Sequence, residues 1–233
     1  MASKIKSLVL RSQMERLSST EENYLKAIYF LGRPNNQRVS TNAIADRLET
    51  RAATVTDMLR RLKEKELVEY RPYKGTLLST AGQKVATAVL RKHRLWETFL
   101  VEKLEFGWDE VHEVAEQLEH VHSPKLTERL AAFLNFPDYD PHGDPIPNAA
   151  GQFPQRASLT LAQAREGQEL VIKGVKDTSA EFLRYVQKMG LGLGQTVKVI
   201  GVEAFDHSLT LLLDERELTL SPLATANIYV TEL

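Results

Sequence analysis

The hydrophobic period of this chain changes across a proline-rich segment at residues 135–155. Before the segment, apolar residues recur every three or four positions, which places them on one side of an α-helix. The segment holds five prolines and two glycines, and this excludes a continuous helix through it. After it come short runs rich in Val, Leu and Ile between turn residues, a pattern typical of strands. The sequence therefore predicts a mainly α chain with a small C-terminal β-barrel.

Two short helices near the N-terminus are predicted at about residues 41–48 and 52–65, joined by a tight bend. Two short strands follow at once, at 67–70 and 76–80, with a Pro- and Gly-containing turn between them. A hairpin directly after a helix-turn-helix is a wing. The apolar positions that form the core of this predicted winged helix are Ile44, Ala45, Leu48, Val55, Leu59 and Leu62.

The winged-helix region is basic, although the whole chain has a net charge of −1. From residue 51 to residue 94 there are eleven Lys and Arg against four Asp and Glu. This local excess favours double-stranded DNA as the partner; a winged helix used for protein contacts is the alternative. Arg51 and Asp57 are predicted to contact base edges. The predicted phosphate contacts are Thr54, Thr56, Arg60 and Arg61, with Arg71, Tyr73 and Lys74 of the wing reaching phosphate or the minor groove.

An acidic region follows, with eleven Asp and Glu against three Lys and Arg from residue 102 to residue 144. Within it, residues 111–122 are predicted to form one helix. Four side chains, His112, Glu116, Glu119 and His120, would then fall within an arc of roughly 100°. Two imidazoles and two carboxylates one turn apart suit a divalent cation, and the alternative is a solvated face stabilised by i,i+4 pairs.

Two further groups of metal-ligand residue types lie nearby. His93 and Glu97 are one turn apart on a long helix predicted over residues 83–104. Asp140 and His142 stand in the irregular turn at 138–144, for which a plain linker is the alternative. The chain has no cysteine, which excludes disulfides and thiolate zinc sites and favours manganese or ferrous iron.

Other function classes are weighed against the same residues. No apolar run approaches the length of a membrane span and no leader peptide is evident, so a cytoplasmic protein is expected. The helical region carries more apolar surface than one small module needs, which favours a homodimer. A metallohydrolase is the enzymatic alternative, but no nucleophile or oxyanion loop accompanies the cluster, so the chain is not expected to be an enzyme or to take a small-molecule substrate.

The order of these parts resembles the diphtheria-toxin-repressor-like family of metal-dependent transcriptional regulators, over nearly all of residues 20–233. The stretches that carry the resemblance are EENYLKAIYFL, ATVTDMLRRLKEKELVEY, RKHRLWETFLVEKL, VHEVAEQLEH and PHGDPIP. The resemblance implies a winged helix-turn-helix domain at 1–80, a helical dimerisation and metal-binding domain at 81–147, a linker at 148–157 and an SH3-like barrel at 158–233. It also implies a homodimeric repressor that binds a palindromic operator when it carries metal.

The resemblance further implies two metal sites. The activating site would use Glu116, Glu119 and His120, with Asn23, or Glu22 in its place, from the first helix. The ancillary site would use His93, Glu97 and His112, with Asp140, His142 and Glu181; His93 could instead serve the activating site, and His122 has no matching role.

Glutamate at position 116, where iron-responsive members have Cys, favours Mn²⁺, with Fe²⁺ as the alternative. Replacing Glu119 by Ala is expected to abolish metal-dependent DNA binding without unfolding the protein.

Overall fold

The computed structural model describes residues 17–33, 35–108, 110–154, 159–177 and 179–233. These residues form two compact units. The first unit runs to His93 and adds Gln117–Thr127 and Pro147–Gln152, and the second comprises Arg94–Glu116, Glu128–Ile146 and Phe153–Leu233. Residue 109 lies outside the described residues. So do residues 155–157, which are part of the predicted linker.

The first unit begins with helix α1 (Ser19–Leu31), whose start is fixed by a capping box. The Ser18 hydroxyl accepts a hydrogen bond from the backbone NH of Glu21, and the Glu21 carboxylate accepts one from the Ser18 NH. Tyr24, Leu25 and Ile28 of α1 are buried in the core of this unit. The cap fixes where α1 begins, and the apolar stripe is the face turned inward.

The predicted winged helix is confirmed. It consists of α2 (Thr41–Arg47), α3 (Ala52–Glu64), and the antiparallel strands β1 (Val68–Arg71) and β2 (Gly75–Leu78). Most of the apolar positions predicted for its core are buried, and Leu48 packs partly buried against them. The backbone of Val39 pairs with Thr76, so a third extended segment, which the strand pattern did not predict, supports the wing.

A long helix, α4 (Thr80–Leu104), follows the wing and contributes residues to both units. After it come α5 (Val111–Leu118) and α6 (Pro124–Phe133). The prediction of one helix through residue 122 is wrong, because α5 ends at Leu118 and Glu119 and His120 lie in the turn after it. Residues 119–122, which follow α5, contain no Gly or Pro that would mark this end.

The β part of the second unit is a six-stranded antiparallel sheet in the order β3-β8-β4-β5-β6-β7. Its apolar residues form one buried cluster with α7 (Ala180–Lys188). The strands are β3 (Leu159–Thr160), β4 (Glu169–Val175), β5 (Thr196–Val202), β6 (Leu209–Leu213), β7 (Arg216–Leu220) and β8 (Ile228–Glu232), with the short helix α8 (Pro222–Thr225) before β8.

The predicted C-terminal β domain is thus confirmed, but as an open sheet. In the part of the chain that is described, no pairing joins the edge strands β3 and β7, so the hydrogen-bonded barrel does not close. The two-residue strand β3 was not predicted. Among the same residues, no helix is long and apolar enough to cross a membrane.

Candidate metal centres

The first candidate centre lies in the first unit, where α1 meets the turn after α5. Nδ1 of His120 lies 2.6 Å from Oε2 of Glu22, and Glu22 is fully buried. A carboxylate oxygen only accepts, so Nδ1–H of His120 donates to it and Nε2 is the nitrogen left to bind a metal. A histidine held in this way is oriented as a metal ligand through its other nitrogen.

Glu119 supplies the carboxylate that faces this imidazole. Its Oε1 lies 3.7 Å from Nε2 of His120. Two ligand atoms, each about 2.1 Å from one cation, lie about 3.0–3.4 Å apart, so a shift of a few tenths of an ångström would let both bind the same ion. The other oxygen of Glu119 is 2.6 Å from Nδ1 of His93, which places His93 in this centre.

Two lysines also enter the centre. Nζ of Lys26, from α1, lies 2.6 Å from Oε1 of Glu119, and Nζ of Lys92, from α4, lies 3.7 Å from Oε1 of Glu22. Burial alone would raise the pKa of Glu119, but His93 and Lys26 outweigh it and lower that pKa below its usual value. Burial lowers the pKa of Lys92, with Glu22 and Glu119 opposing that shift.

The donor atoms of this centre fit a divalent cation. Among the described buried side-chain atoms, Oδ1 of Asn23 makes no hydrogen bond, and Oε1 of Glu22 makes none either, although Nζ of Lys92 lies 3.7 Å from it. A buried oxygen without a hydrogen bond costs free energy unless something else compensates it, and a cation would do so. Carboxylate and amide oxygens with one or two imidazoles form a donor set suited to Mn²⁺ or Fe²⁺.

Two other residues of the 111–122 stretch lie differently from the sequence expectation. Glu116, predicted for the activating site, belongs to the second unit, has a half-exposed side chain, and lies 3.5 Å from Nε2 of His112. His122, for which no role was predicted, has its Nδ1 3.8 Å from Oε1 of Glu22. The helical pattern assumed one helix through both residues, but α5 ends at Leu118, between them. The pattern therefore did not predict the surroundings of either side chain.

The second candidate centre lies in the second unit and brings together Glu97, Asp140 and His142. All three residues are buried, and one ligand atom from each lies within 4.8 Å of the others. Nε2 of His142 lies 3.1 Å from the carbonyl oxygen of Trp108, so Nε2–H donates there and Nδ1 faces Glu97 and Asp140, each 4.0 Å away. Nδ1 of His112 is 3.2 Å from Oε1 of Glu97.

The turn that carries Asp140 and His142 is held by Arg94 and by a close approach to β4. The buried Arg94 guanidinium lies 3.4 Å from Oδ2 of Asp140 and donates to the carbonyl of Pro145. The backbone NH groups of His142 and Asp144 donate to Oδ1 of Asp140 at 2.8 and 2.9 Å. These bonds fold the turn around the Asp140 carboxylate, so the interpretation of this segment as a plain linker is not favoured.

Glycine is required where this turn meets the sheet. Gly143 has φ +82°, and a Cβ at this position would lie 2.0 Å from Cα of Gly174 in β4. The NH of Val175 donates to the carbonyl of His142 at 2.7 Å. The backbone of the turn therefore lies against β4, and any side chain at position 143 would force them apart.

The carboxylate of Asp140 is in an unfavourable electrostatic environment. Burial, reinforced by the negative charge of Glu97, raises the pKa of Asp140 to about 7. Glu181, in contrast, is 83% exposed on α7 and pairs with Arg184 at 3.9 Å, so the structure does not bring it into this cluster.

The residues predicted to contact DNA lie on α3 and the wing. All of them are exposed except the half-buried Thr56, whose hydroxyl donates to the Ala52 carbonyl. Asp57 pairs with Arg60 at 3.1 Å. Tyr73 is fully exposed at the tip of the wing with φ +62°, a conformation uncommon for a bulky side chain. Arg51, Thr54, Arg61, Arg71 and Lys74 complete this surface.

Comparison with known proteins gives matches along most of the chain. Residues 16–76 match the family model described as iron dependent repressor, N-terminal DNA binding domain. Residues 79–148 match that of the iron dependent repressor, metal binding and dimerisation domain, and residues 159–232 match the FeoA domain. The iron-dependent repressor IdeR of Mycobacterium leprae is 38% identical over 157 residues, which are 66% of this chain and 68% of that protein. The chain belongs to the iron-dependent repressor family.

The solved structures that resemble this chain include manganese-dependent repressors. A manganese-dependent transcriptional repressor in complex with manganese is 35% identical, with a TM-score of 0.71, over 91% of this chain and 100% of that one. ScaR with bound Cd²⁺ is 34% identical with a TM-score of 0.65, over 91% of this chain and 99% of that one. The chain spans 58% of the IdeR of Mycobacterium tuberculosis strain H37Rv, at 37% identity. The family consists of transcriptional repressors, which confirms that the chain is a regulator and not an enzyme.

Proposed function

We propose that this protein is a cytoplasmic, homodimeric repressor that binds a palindromic DNA operator when divalent metal, Mn²⁺ in the first instance, fills the centre at Glu119 and His120. The observation that carries the proposal is the Glu22–His120–Glu119 arrangement. It orients Nε2 of His120 towards a buried carboxylate, in the unit that also contains the winged helix. When bound, the metal supplies two positive charges among buried oxygens.

The residues of the centre link α1 to the turn after α5. Glu22 and Asn23 come from α1, and Glu119 and His120 come from the turn. Because Tyr24, Leu25 and Ile28 of α1 pack in the winged-helix core, any movement of α1 is transmitted to the domain that carries α3. Metal favours DNA binding only if it binds the DNA-competent arrangement more tightly than the other one.

The surface of α3 and the wing is suited to DNA. Thr54, Arg60 and Arg61 stand on the exposed side of α3, opposite the buried Val55 and Leu59. In a winged helix this helix enters the major groove, and in a symmetric dimer two such helices read half-sites about one or more helical turns apart. That symmetry is the reason for proposing a palindromic operator.

Exposed aromatic side chains in the second unit support the homodimer. Phe133 and Phe136 are 61% and 65% exposed, and Phe133 lies beside Phe99 with ring centroids 6.0 Å apart. Exposed aromatic groups of this size are costly in water and are common at the centre of protein interfaces. A second copy of the chain is the partner that fits the dimerisation domain matched at residues 79–148.

The second centre is proposed as an ancillary metal site formed by Glu97, Asp140 and His142, with His112 adjacent. Two buried carboxylates and an imidazole whose Nδ1 faces them form a donor set for the same class of cation. Because this site includes the turn that lies against β4, metal here would stabilise the contact of that turn with the sheet.

The test is a titration of a labelled candidate operator, followed by fluorescence anisotropy, with Mn²⁺, Fe²⁺, Zn²⁺ or chelator present. The proposal predicts DNA binding that requires metal, with Mn²⁺ effective at the lowest free concentration. Equal binding with chelator would refute it in favour of a metal-insensitive winged-helix regulator, and activation by Fe²⁺ at lower concentration would replace manganese by iron.

A pair of variants makes the test specific to the centre. Glu119→Gln removes the charge at the proposed ligand and is expected to abolish metal-dependent DNA binding. Glu113→Gln makes the same chemical change at an exposed position of α5 and should leave metal-dependent binding unchanged. Glutamine is used in place of alanine because Glu119 compensates Lys26 and His93, and a cavity at this position would destabilise the fold.

A further inference from the structure

The ammonium group of Lys26 lies on the oxygen that the proposed metal would bind. Nζ of Lys26 is 2.6 Å from Oε1 of Glu119, and this is the oxygen that faces Nε2 of His120 at 3.7 Å. The Lys26 side chain is only 13% exposed and Glu119 is fully buried. The contact is therefore not a solvated surface pair, which would contribute little.

This buried carboxylate needs a positive charge whether or not metal is bound. A buried carboxylate without a partner is strongly destabilising, and Lys26 stands closest to Oε1 of Glu119. A divalent cation shared by Glu119 and His120 would supply that charge at the same oxygen. If the Lys26 ammonium and the metal ion both lay within bonding distance of Oε1 of Glu119, on the side that faces His120, the two positive charges would repel each other strongly.

We propose that Lys26 is an internal cation that holds Glu119 when metal is absent and is displaced from it when metal binds, so that Lys26 raises the metal concentration at which the centre fills. This inference rests on the proposed metal-dependent function and adds to it a residue that sets the threshold. Lys26 belongs to α1, so its ion pair with Glu119 joins α1 directly to the turn after α5. When Lys26 is displaced, contacts through the metal would replace this ion pair.

If Lys26 had the opposite role, its removal would change the metal affinity in the opposite direction. If Lys26 were a positioning residue that held the Glu119 carboxylate in place for the metal, its removal would weaken metal binding. If it were a competitor, removal would tighten metal binding and destabilise the metal-free protein. The two roles are therefore separated by the direction of the change in affinity.

The experiment measures Mn²⁺ binding to the full-length protein through the electron paramagnetic resonance signal of free hydrated Mn²⁺. Two neutral variants, Lys26→Met and Lys26→Gln, are compared with wild type, and Lys26→Arg keeps the charge. A charged hydrogen bond is lost in the neutral variants, so their Mn²⁺ affinity should rise by about tenfold or more, while the Arg variant stays near wild type.

Lys65→Met is the matched control. Nζ of Lys65 also lies 2.6 Å from a carboxylate of α1, Oε1 of Glu21, which is not a candidate ligand. This variant removes an ion pair from the same helix and should leave Mn²⁺ affinity unchanged. Tightening in Lys65→Met equal to that in Lys26→Met would overturn the inference, because a general loosening of α1 would then explain both.

Thermal unfolding in chelator gives the second readout. The neutral Lys26 variants should unfold at a lower temperature than wild type without metal, and excess Mn²⁺ should raise their midpoint by more than it raises that of wild type. Unchanged or weaker Mn²⁺ affinity in both neutral variants would overturn the inference while leaving the proposed function intact. If neither wild type nor any variant bound Mn²⁺, Fe²⁺ or Zn²⁺, the proposed function and the inference would both fail.

Discussion

The buried Asp140 carboxylate predicts a specific dependence of stability on pH in the metal-free protein. The fold raises its pKa from 3.8 to about 7, because the carboxylate is buried beside Glu97. The folded state therefore holds a proton that the unfolded chain releases between these two values. For an acid with a raised pKa, stability is greatest at low pH and falls as pH rises toward the folded pKa.

The size of the effect follows from the two pKa values. A shift of about 3 units corresponds to about 4 kcal/mol in full, at 1.36 kcal/mol per unit. Between about pH 5 and about pH 8 the linkage relation gives a loss of about 2.5 kcal/mol of unfolding free energy from this one residue. In Asp140→Asn this pH-dependent loss should vanish. Asn is neutral and cannot form the ion pair with Arg94, so the variant's overall gain in stability is smaller than the loss it removes.

Urea unfolding in chelator across this pH range measures the prediction. The quantity to compare is the difference between wild type and Asp140→Asn, since groups that titrate in both proteins cancel. That difference should shift in favour of the Asn variant by about 2 kcal/mol as pH rises from about 5 to about 8. Asp138→Asn, an exposed acid in the same turn, serves as the control. Parallel pH profiles for wild type and Asp140→Asn would refute the reasoning.

Three further predictions follow from the turn, the wing and the exposed aromatic residues. Gly143→Ala should destabilise the protein by about 2–4 kcal/mol in urea unfolding, because its Cβ would collide with Gly174 at φ +82°; near-wild-type stability would contradict the close approach. Tyr73→Ala should weaken operator binding by about tenfold in anisotropy titrations with unchanged Mn²⁺ affinity, and an unchanged DNA affinity would remove the wing tip from the interface. Phe133→Glu should shift the protein from dimer to monomer in light scattering, and a stable dimer would place the interface elsewhere.

The winged helix could be predicted from sequence because local and tertiary requirements agree there. Val55, Leu59 and Leu62 recur at helical spacing and all three are fully buried. The Pro- and Gly-containing stretch between β1 and β2 is compatible only with a turn. Val39, by contrast, joins the wing through a single bridge to Thr76, and such an isolated pairing has no periodic pattern to reveal it.

The candidate centres were predictable in residue type but not in arrangement. An α-helical period places Glu116, Glu119 and His120 on one face, yet α5 ends at Leu118, and Glu119 in the turn beyond it contacts Lys26 and His93. No local residue announces that end. Likewise, EENYLK contains an amide, two carboxylates and a lysine in six positions, and only the packing of α1 decides which of them face the turn.

The hydrogen bonds of the two histidines show what the tertiary structure adds to such a pattern. His120 is held through Nδ1 by Glu22, 98 residues away, and His142 through Nε2 by the Trp108 carbonyl, 34 residues away. In each case one ring nitrogen contacts a hydrogen-bond acceptor and the other faces a buried carboxylate. A solvated histidine would have no fixed choice between its two nitrogens. Because opposite nitrogens are held in the two centres and the remaining nitrogen faces an acid in both, the acceptors orient both imidazoles towards the position where a cation would bind.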